Sequence, residues 1–274
     1  MNTFRAPLLL HLAVVVACTG VALAQESRPR APVVPKDFPQ PAPAVDAKSV
    51  ELLDRWDSLH YEPPVKQASC DGKATLSGMM APQPMTGTFV YSWDGKSSEM
   101  NFADPALQAK FNQVGLRSAM MDGMFAGSPW REQFANCTLR AVEENGKPVV
   151  LVDGKSAQGF TKLVFDERGL PTTIELQAPS MPTPGTATLS YVEIEGKFAL
   201  GQIVTNLTSP MGPVESRMSY TFTQAGTRHV WQSYKAEVKM GEQLINKIDV
   251  EFSNYKFDDE VAGPAKAPAP EPGS

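Results

Sequence analysis

The chain has 274 residues, of which 25 are basic and 30 acidic, giving a formal net charge of −5. Nucleic acids and anionic lipid surfaces select strongly basic patches, so this mildly acidic balance argues against both as electrostatic partners. The length is sufficient for one domain with a sizeable core.

Residues 1–24 have the organisation of an export signal. A short positive region at 1–5 precedes an apolar stretch at 6–23, and Ala22-Leu23-Ala24 forms a small-x-small cleavage site before Gln25. Cleavage there removes one basic residue and leaves 24 basic and 30 acidic residues, a net charge of −6. We therefore expect an exported protein that is periplasmic or associated with the cell envelope, either soluble or lipid-anchored.

Cys18 offers a second reading of the same segment. The sequence Val15-Val16-Ala17-Cys18 looks like the site at which lipoprotein signal peptides are cleaved. Lipidation of Cys18 would then anchor the protein to a membrane. The sequence alone leaves both cleavage routes open.

Two further cysteines, Cys70 and Cys137, form an even pair in a chain that is expected to be exported. Such a pair predicts a disulfide. The alternative is two buried thiols.

Four segments are predicted along the chain: the signal at 1–24, a Pro-rich linker at 25–47, one domain at 48–261 and a Pro- and Ala-rich disordered tail at 262–274. The first part of the domain, Val45 to Tyr61, predicts an amphipathic helix because Val50, Leu53 and Trp56 share one face. A first strand is expected at 65–76. A loop is expected next, carrying Met79, Met80, Pro82, Pro84 and Met85.

From Met85 to Phe257 apolar and polar residues alternate between Gly-containing turns such as Asn145-Gly146 and Glu195-Gly196. Alternation with a period of two residues, bounded by such turns, is typical of half-buried antiparallel strands joined by hairpins. We expect about eight to ten strands with one apolar and one polar face, and strands throughout from Arg131 onward.

A helical segment interrupts the hairpins at 103–126, as one helix or as two short helices, because Gly115 and Gly123 weaken it. Asp104 is placed to cap it and Pro105 to take its first position. Seven of the twelve methionines lie between Met79 and Met124. Methionine adapts to varied apolar partners, so this density favours a cover over a ligand, although gap-filling in an ordinary core explains it too.

The predicted fold class is α+β and mostly antiparallel β: a curved meander sheet that forms an unclosed barrel covered by two or three helices. An apolar pocket beneath the cover would be lined or covered by Phe89, Tyr91, Trp93, Met120 and Met124. A solid core beneath the helices is the alternative.

The stretch from Leu163 to Pro171 contains a predicted strand followed by Gly-Leu-Pro. Further pieces of the same layout lie at 174–176, 186–191 and 196–200, and an Asn-Tyr-containing strand closes it at 249–255. This pattern resembles the periplasmic lipoprotein-carrier and lipoprotein-sorting group, the LolA-like and LolB-like proteins. The resemblance implies an unclosed β-barrel that holds acyl chains beneath helices, with no cofactor and no catalysis.

No catalytic or metal site is predicted. After removal of the signal only His60 and His229 remain, and neither has a partner at metal-ligand spacing or beside a nucleophile motif. The leading hypothesis is a non-enzymatic binder or carrier of a hydrophobic ligand, either lipid or the acyl chains of a lipoprotein. The alternative is an envelope scaffold or interaction protein with a solid core. The sequence does not indicate the oligomeric state.

Overall fold

The computed structural model describes residues 44–63, 65–79, 81–94, 98–113, 129–154, 156, 159–177, 183–209 and 211–257. These residues form one antiparallel sheet of twelve strands, two or more beyond the predicted number. The sheet runs in the order β3-β2-β1-β12-β11-β10-β9-β8-β7-β6-β5-β4, so β3 and β4 are its edges and do not pair with each other. The predicted class, a mostly antiparallel unclosed barrel with helices, is confirmed.

In the described ranges the elements follow one another as hairpins, with three helices between or before them. Helices are α1 (Ala47–Leu59), α2 (Pro105–Gln113) and α3 (Trp130–Gln133). Strands are β1 (Ala68–Gly78), β2 (Ala81–Trp93), β3 (Ser98–Phe102), β4 (Cys137–Glu144), β5 (Lys147–Gly154), β6 (Phe160–Phe165), β7 (Pro171–Leu176), β8 (Gly185–Ile194), β9 (Lys197–Ser209), β10 (Gly212–Ala225), β11 (Arg228–Met240) and β12 (Gln243–Phe257).

Two of the predicted turns have the geometry that a tight hairpin requires. Asn145-Gly146 has φ angles of 52° and 73°, and Glu195-Gly196 has 53° and 78°. Positive φ at both central residues gives the primed turn whose twist matches that of the flanking strands. These turns join β4 to β5, with Glu144 opposite Lys147, and β8 to β9, with Ile194 opposite Lys197.

The prediction of a loop around Pro82 and Pro84 is wrong, because β2 begins at Ala81. Gly78 pairs with Ala81 and Leu76 with Met85, so the two prolines lie in a bulge between paired positions. β3 pairs with β2 only from Phe89 onward. The first half of β2 therefore lies along an edge of the sheet, where a missing backbone N–H is tolerated and discourages further strand pairing.

The opposite edge, β4, is covered by the residues that lead into α1. Asp46 N donates to Leu139 O at 3.2 Å and Leu139 N donates to Ala44 O at 2.8 Å. Asp46 also caps α1, since its Oδ1 accepts from Ser49 N at 2.6 Å while its Oδ2 accepts from Ala141 N at 2.6 Å. One carboxylate thus joins the start of a helix to the edge of the sheet.

The helices lie on one face of the sheet. α1 contacts β4, and α2 contacts β2 and β3. α2 begins at Pro105 with Asp104 Oδ1 accepting from Ala106 N at 2.8 Å, as predicted, and its described part ends at Gln113. The rest of the predicted helix at 103–126 lies outside the described residues.

Residues 130–133 form a helical turn where a strand was expected. Trp130 holds it against α1, because its Nε1 donates to Asp54 Oδ1 at 2.7 Å and its backbone N donates to Asp57 Oδ2 at 3.2 Å. The burial of Trp130 against α1 and of Phe134 beside Phe160 of β6 overrides the alternating pattern there. In the described part of the chain, no helix is long and apolar enough to cross a membrane.

Candidate functional site

The inner face of the sheet, toward the helices, carries the three aromatic residues predicted to line a pocket. Phe89, Tyr91 and Trp93 alternate along β2 and are 3%, 0% and 5% exposed. The structure therefore brings these three together on the apolar face. Their contact with a ligand stays a prediction. Met120, Met124 and Cys18 lie outside the described residues.

A chain of aromatic rings crosses this inner face from α2 to β10 and β11. Neighbouring ring centroids are between 4.7 and 6.3 Å apart, distances typical of favourable aromatic pairs. In order, the rings belong to Phe111, Phe102, Phe89, Phe252, Trp231, Tyr220 and Tyr234.

Two glycines on the inner face make room for this packing. A Cβ at Gly72 would lie 1.9 Å from Phe89 Cζ, and a Cβ at Gly87 would lie 2.6 Å from Leu107 Cδ2. The Phe89 ring thus occupies the space above β1, and Leu107 of α2 occupies the space above β2. The inner face is filled by side chains in this region.

Elsewhere on the inner face, buried polar atoms find no partner. Within the described residues, Trp93 Nε1, Thr205 Oγ1 and Ser216 Oγ are buried without a hydrogen bond. Thr205 and Ser216 are directly opposite each other on β9 and β10 and are 2% and 1% exposed. Such atoms are rare in folded proteins and call for an explanation such as bound water or a bound polar group. Thr205 and Ser216 are recognisable in the sequence only as polar residues at inward positions of alternating strands.

One end of the sheet presents apolar side chains to solvent. Met79 and Met211 are each 58% exposed and Leu244 is 37% exposed. They belong to three hairpins that are neighbours in the sheet, β1–β2, β9–β10 and β11–β12. Hydrogen bonds from Met79 N to Ile245 O and from Gly241 N to Pro213 O connect the three hairpins. Met79, Met211 and Leu244 are called the apolar rim below.

The opposite end of the sheet is occupied by the chain that follows α1. His60 pairs with Phe198, and Tyr61 N donates to Phe198 O at 3.0 Å. The Tyr61 hydroxyl accepts from His229 N at 3.0 Å. The apolar rim therefore lies at the end that α1 and its continuation leave uncovered.

A cavity of about 1070 Å³ lies on the outer face of the sheet, where no site was predicted. Most of its lining side chains occupy outward positions of β2, β1, β12, β11 and β10. This cavity is called the outer groove below. It is lined by Asp71, Gly72, Lys73, Thr88, Phe89, Val90, Asn101, Phe102, Ala103, Thr221, Gln232, Ser233, Lys235, Glu251, Phe252 and Ser253.

The two histidines occupy structural positions at the covered end of the sheet. Burial, together with the positive charge of Lys197, lowers the pKa of His60 to about 4, so its ring is neutral near pH 7. His229 Nδ1 lies 3.3 Å from Glu195 Oε1 on the neighbouring hairpin. Within the described residues, no three His, Cys, Asp or Glu side chains are grouped closely enough to hold a metal ion.

The predicted disulfide is not formed, because Cys70 and Cys137 are both buried free thiols. Cys70 lies on β1 and Cys137 on the edge strand β4, with eight strands between them in the sheet. Burial raises the pKa of Cys70 to about 12 and also raises that of Cys137. The structure agrees with the alternative prediction, two buried thiols.

Comparison with known proteins finds likeness in solved structures alone: no family model matches the chain, and no curated protein does. The chain is similar to a LolA superfamily protein from Nitrosomonas europaea, with 10% identity and a TM-score of 0.34, over 77% of this chain and 96% of that one. It is also similar to a DUF1329 family protein from Desulfovibrio piger, with 9% identity and a TM-score of 0.32, over 76% of this chain and 91% of that one.

Proposed function

We propose that this protein is an exported, non-enzymatic binder or carrier of a hydrophobic ligand, either a lipid or the acyl chains of a lipoprotein, in the cell envelope. The observation that carries the proposal is the inner face of the sheet, which is apolar from edge to edge and yet contains buried polar atoms without partners. An apolar chain would gain about 0.8 kcal/mol for each CH₂ group that it buries there.

The buried polar atoms favour an amphiphile over a pure hydrocarbon. Trp93 Nε1 is a donor only, so it needs an acceptor such as the carbonyl oxygen of an ester, an amide or a carboxylic acid. A hydrogen bond to such an oxygen would offset the cost of burying the indole N–H, on the order of 1–3 kcal/mol.

The apolar rim supports transfer of such a ligand to or from a lipid surface. Met79, Met211 and Leu244 are exposed on neighbouring hairpins at the end of the sheet that α1 leaves uncovered. Contiguous exposed apolar residues mark membrane or protein contacts more often than inert surface. Contact at this end would bring the inner face close to the lipid that it is proposed to take up.

An envelope scaffold with a solid core is the second candidate. The close packing of Phe89 over Gly72 and of Leu107 over Gly87 favours it, because this part of the inner face has no room for a chain. On the carrier proposal the ligand lies beside this packed region rather than within it.

The test is displacement of a fluorescent fatty acid from the purified protein by oleic acid and by hexadecane. We expect saturable binding, and we expect Trp93→Phe to weaken oleic acid about 5- to 10-fold while leaving hexadecane unchanged, since a hydrogen bond contributes about 1 kcal/mol. Trp56→Phe on α1 is the matched control and is expected to leave both affinities unchanged. Absence of saturable binding of either ligand would favour the scaffold.

A further inference from the structure

Two irregularities in neighbouring strands lie at the outer groove. On β12, Asn254 and Tyr255 together face the single residue Cys70 of β1. On β11, Gln232 has no partner on β10, because Thr221 pairs with Ser233 and Phe222 with Trp231. β-Bulges bend and twist a strand locally, and they are enriched next to binding sites, where they redirect a side chain. These two bulges flank the groove, and Gln232 is part of its lining.

The first bulge also fixes a carboxylate at the groove. Asn254 adopts a φ of 53°, in the left-handed region that asparagine tolerates better than most residues. In this conformation its side-chain Nδ2 donates to Asp71 Oδ2 at 2.8 Å. Asp71 lines the groove, so one of its oxygens is held while the other is left to a ligand.

The lining combines hydrogen-bond donors and acceptors without net charge. Lys73 and Lys235 balance Asp71 and Glu251, which removes the field that would select an anion or a cation. The remaining polar side chains are hydroxyls and amides, which both donate and accept: Thr88, Asn101, Thr221, Gln232, Ser233 and Ser253. Val90 adds an apolar contact among them and is 52% exposed.

The direction of the groove limits the class of ligand. The groove crosses five strands along one row of paired residues. In order across the sheet, the row contains Thr88 on β2, Lys73 on β1, Glu251 on β12, Ser233 on β11 and Thr221 on β10. Strands are about 4.8 Å apart, so this row is about 19 Å long, which fits an oligomer better than a single small molecule. An extended peptide binds best along a free strand edge, where its backbone finds partners, whereas the strands beneath this row are already paired on both sides.

We propose that the outer groove binds a neutral oligosaccharide. Sugar hydroxyls both donate and accept, which matches the amide and hydroxyl side chains, and the C–H face of a sugar ring matches Val90. This site is on the opposite face of the sheet from the proposed hydrophobic ligand and does not depend on it. Because the groove is open to solvent, we expect dissociation constants of about 0.1–1 mM.

The test is titration of the isotope-labelled whole chain with maltotetraose, cellotetraose and chitotetraose, followed by NMR. At least one of them is expected to shift amide signals of β1, β2, β11 and β12 saturably. The double variant Asn101→Ala/Gln232→Ala is expected to weaken this binding at least 10-fold. The matched control Asn206→Ala/Gln224→Ala removes the same side chains from exposed positions outside the groove and is expected to change nothing.

Three results would overturn the proposal. The first is that none of the oligosaccharides gives saturable shifts in the millimolar range. The second is that the shifts map outside the groove or survive in the Asn101→Ala/Gln232→Ala variant. The third is that an uncharged hexapeptide saturates the same amide signals with equal affinity, which would assign the groove to peptides instead.

Discussion

At the scale of single residues, the inner face depends on the missing side chain of Gly72. The sequence predicts a strand at 65–76 but gives no reason for a glycine within it, because the side chain that Gly72 accommodates belongs to the next strand. The structure supplies the reason, because the Phe89 ring occupies the place of a Cβ.

Gly72→Ala is expected to lower the free energy of unfolding by about 1–3 kcal/mol, because the added methyl group overpacks a filled core. Urea unfolding measures this loss. Phe89→Leu removes the atoms that clash, so in the double variant the cost of Gly72→Ala is expected to fall well below its value in the wild type. An equal cost in both backgrounds would contradict the contact.

Cys70 and Cys137 give a second prediction at this scale. Since burial raises the pKa of both thiols, neither forms thiolate at neutral pH, and both are expected to resist alkylation until the protein unfolds. Intact mass after iodoacetamide treatment, with and without urea, counts the modified thiols. A protein that remains unmodified in urea and gains two alkyl groups only after reduction would show that the cysteines pair.

At the scale of elements, Asp46 couples α1 to the edge strand β4. Burial alone would raise the pKa of its carboxyl group, but the hydrogen bonds from the backbone N–H groups of Ser49 and Ala141 lower it below the usual value of 3.8. A lowered pKa in the folded state contributes stability that is present above the unfolded pKa and is lost as pH falls through the folded pKa.

Asp46→Asn is therefore expected to cost about 1–2 kcal/mol at neutral pH, because the hydrogen bond from Ala141 N is lost, and less at an acidic pH below the folded pKa, where the wild-type carboxyl group is itself protonated. Urea unfolding at both pH values measures the difference. Asp104→Asn at the start of α2 is the control for capping alone. Hydrogen exchange at Leu139 and Ala141 is expected to accelerate in Asp46→Asn but not in Asp104→Asn, and equal exchange in both would contradict the coupling.

Sequence patterns predicted most elements, and the failures have identifiable physical causes. Alternation and Gly-containing turns identified the hairpins because each strand has one buried face. The strand at Ala81 was missed because prolines are usually excluded from sheets, and the free edge that admits Pro82 and Pro84 depends on the shortness of β3. The helical turn at Trp130 was missed because contacts with Asp54 and Asp57, over 70 positions earlier, decide it.

The site was predictable only in part, for a similar reason. Phe89, Tyr91 and Trp93 were placed on one apolar face by their spacing alone. The outer groove could not be found in this way, because it depends on bulges at Asn254 and Gln232 that alternation does not reveal.

At the scale of the whole molecule, the two ends of the sheet differ. One end is occupied by Tyr61 and its partners, and the other presents the apolar rim. If the rim contacts lipid, replacing Met79, Met211 and Leu244 by serine is expected to slow uptake of a fluorescent fatty acid from phospholipid vesicles at least 5-fold, with unchanged affinity for the free fatty acid. Stopped-flow fluorescence measures the uptake rate.

The control for the rim is Val90→Ser/Val192→Ser, which removes exposed apolar side chains of 52% and 42% exposure from the outer face. This variant is expected to take up fatty acid at the wild-type rate. Equal slowing in both variants would mean that general surface hydrophobicity, and not the rim, governs uptake.

The unclosed sheet with its apolar inner face is the basis of the carrier proposal. Identifying the molecules bound to the purified protein tests this proposal most directly. Native mass spectrometry of protein purified from its own host without detergent, followed by solvent extraction, identifies any bound molecule. The account predicts a lipid or acylated species bound in stoichiometric amount and lost on unfolding. A chain of unmodified mass with no extractable lipid, and no uptake of added fatty acid, would contradict it.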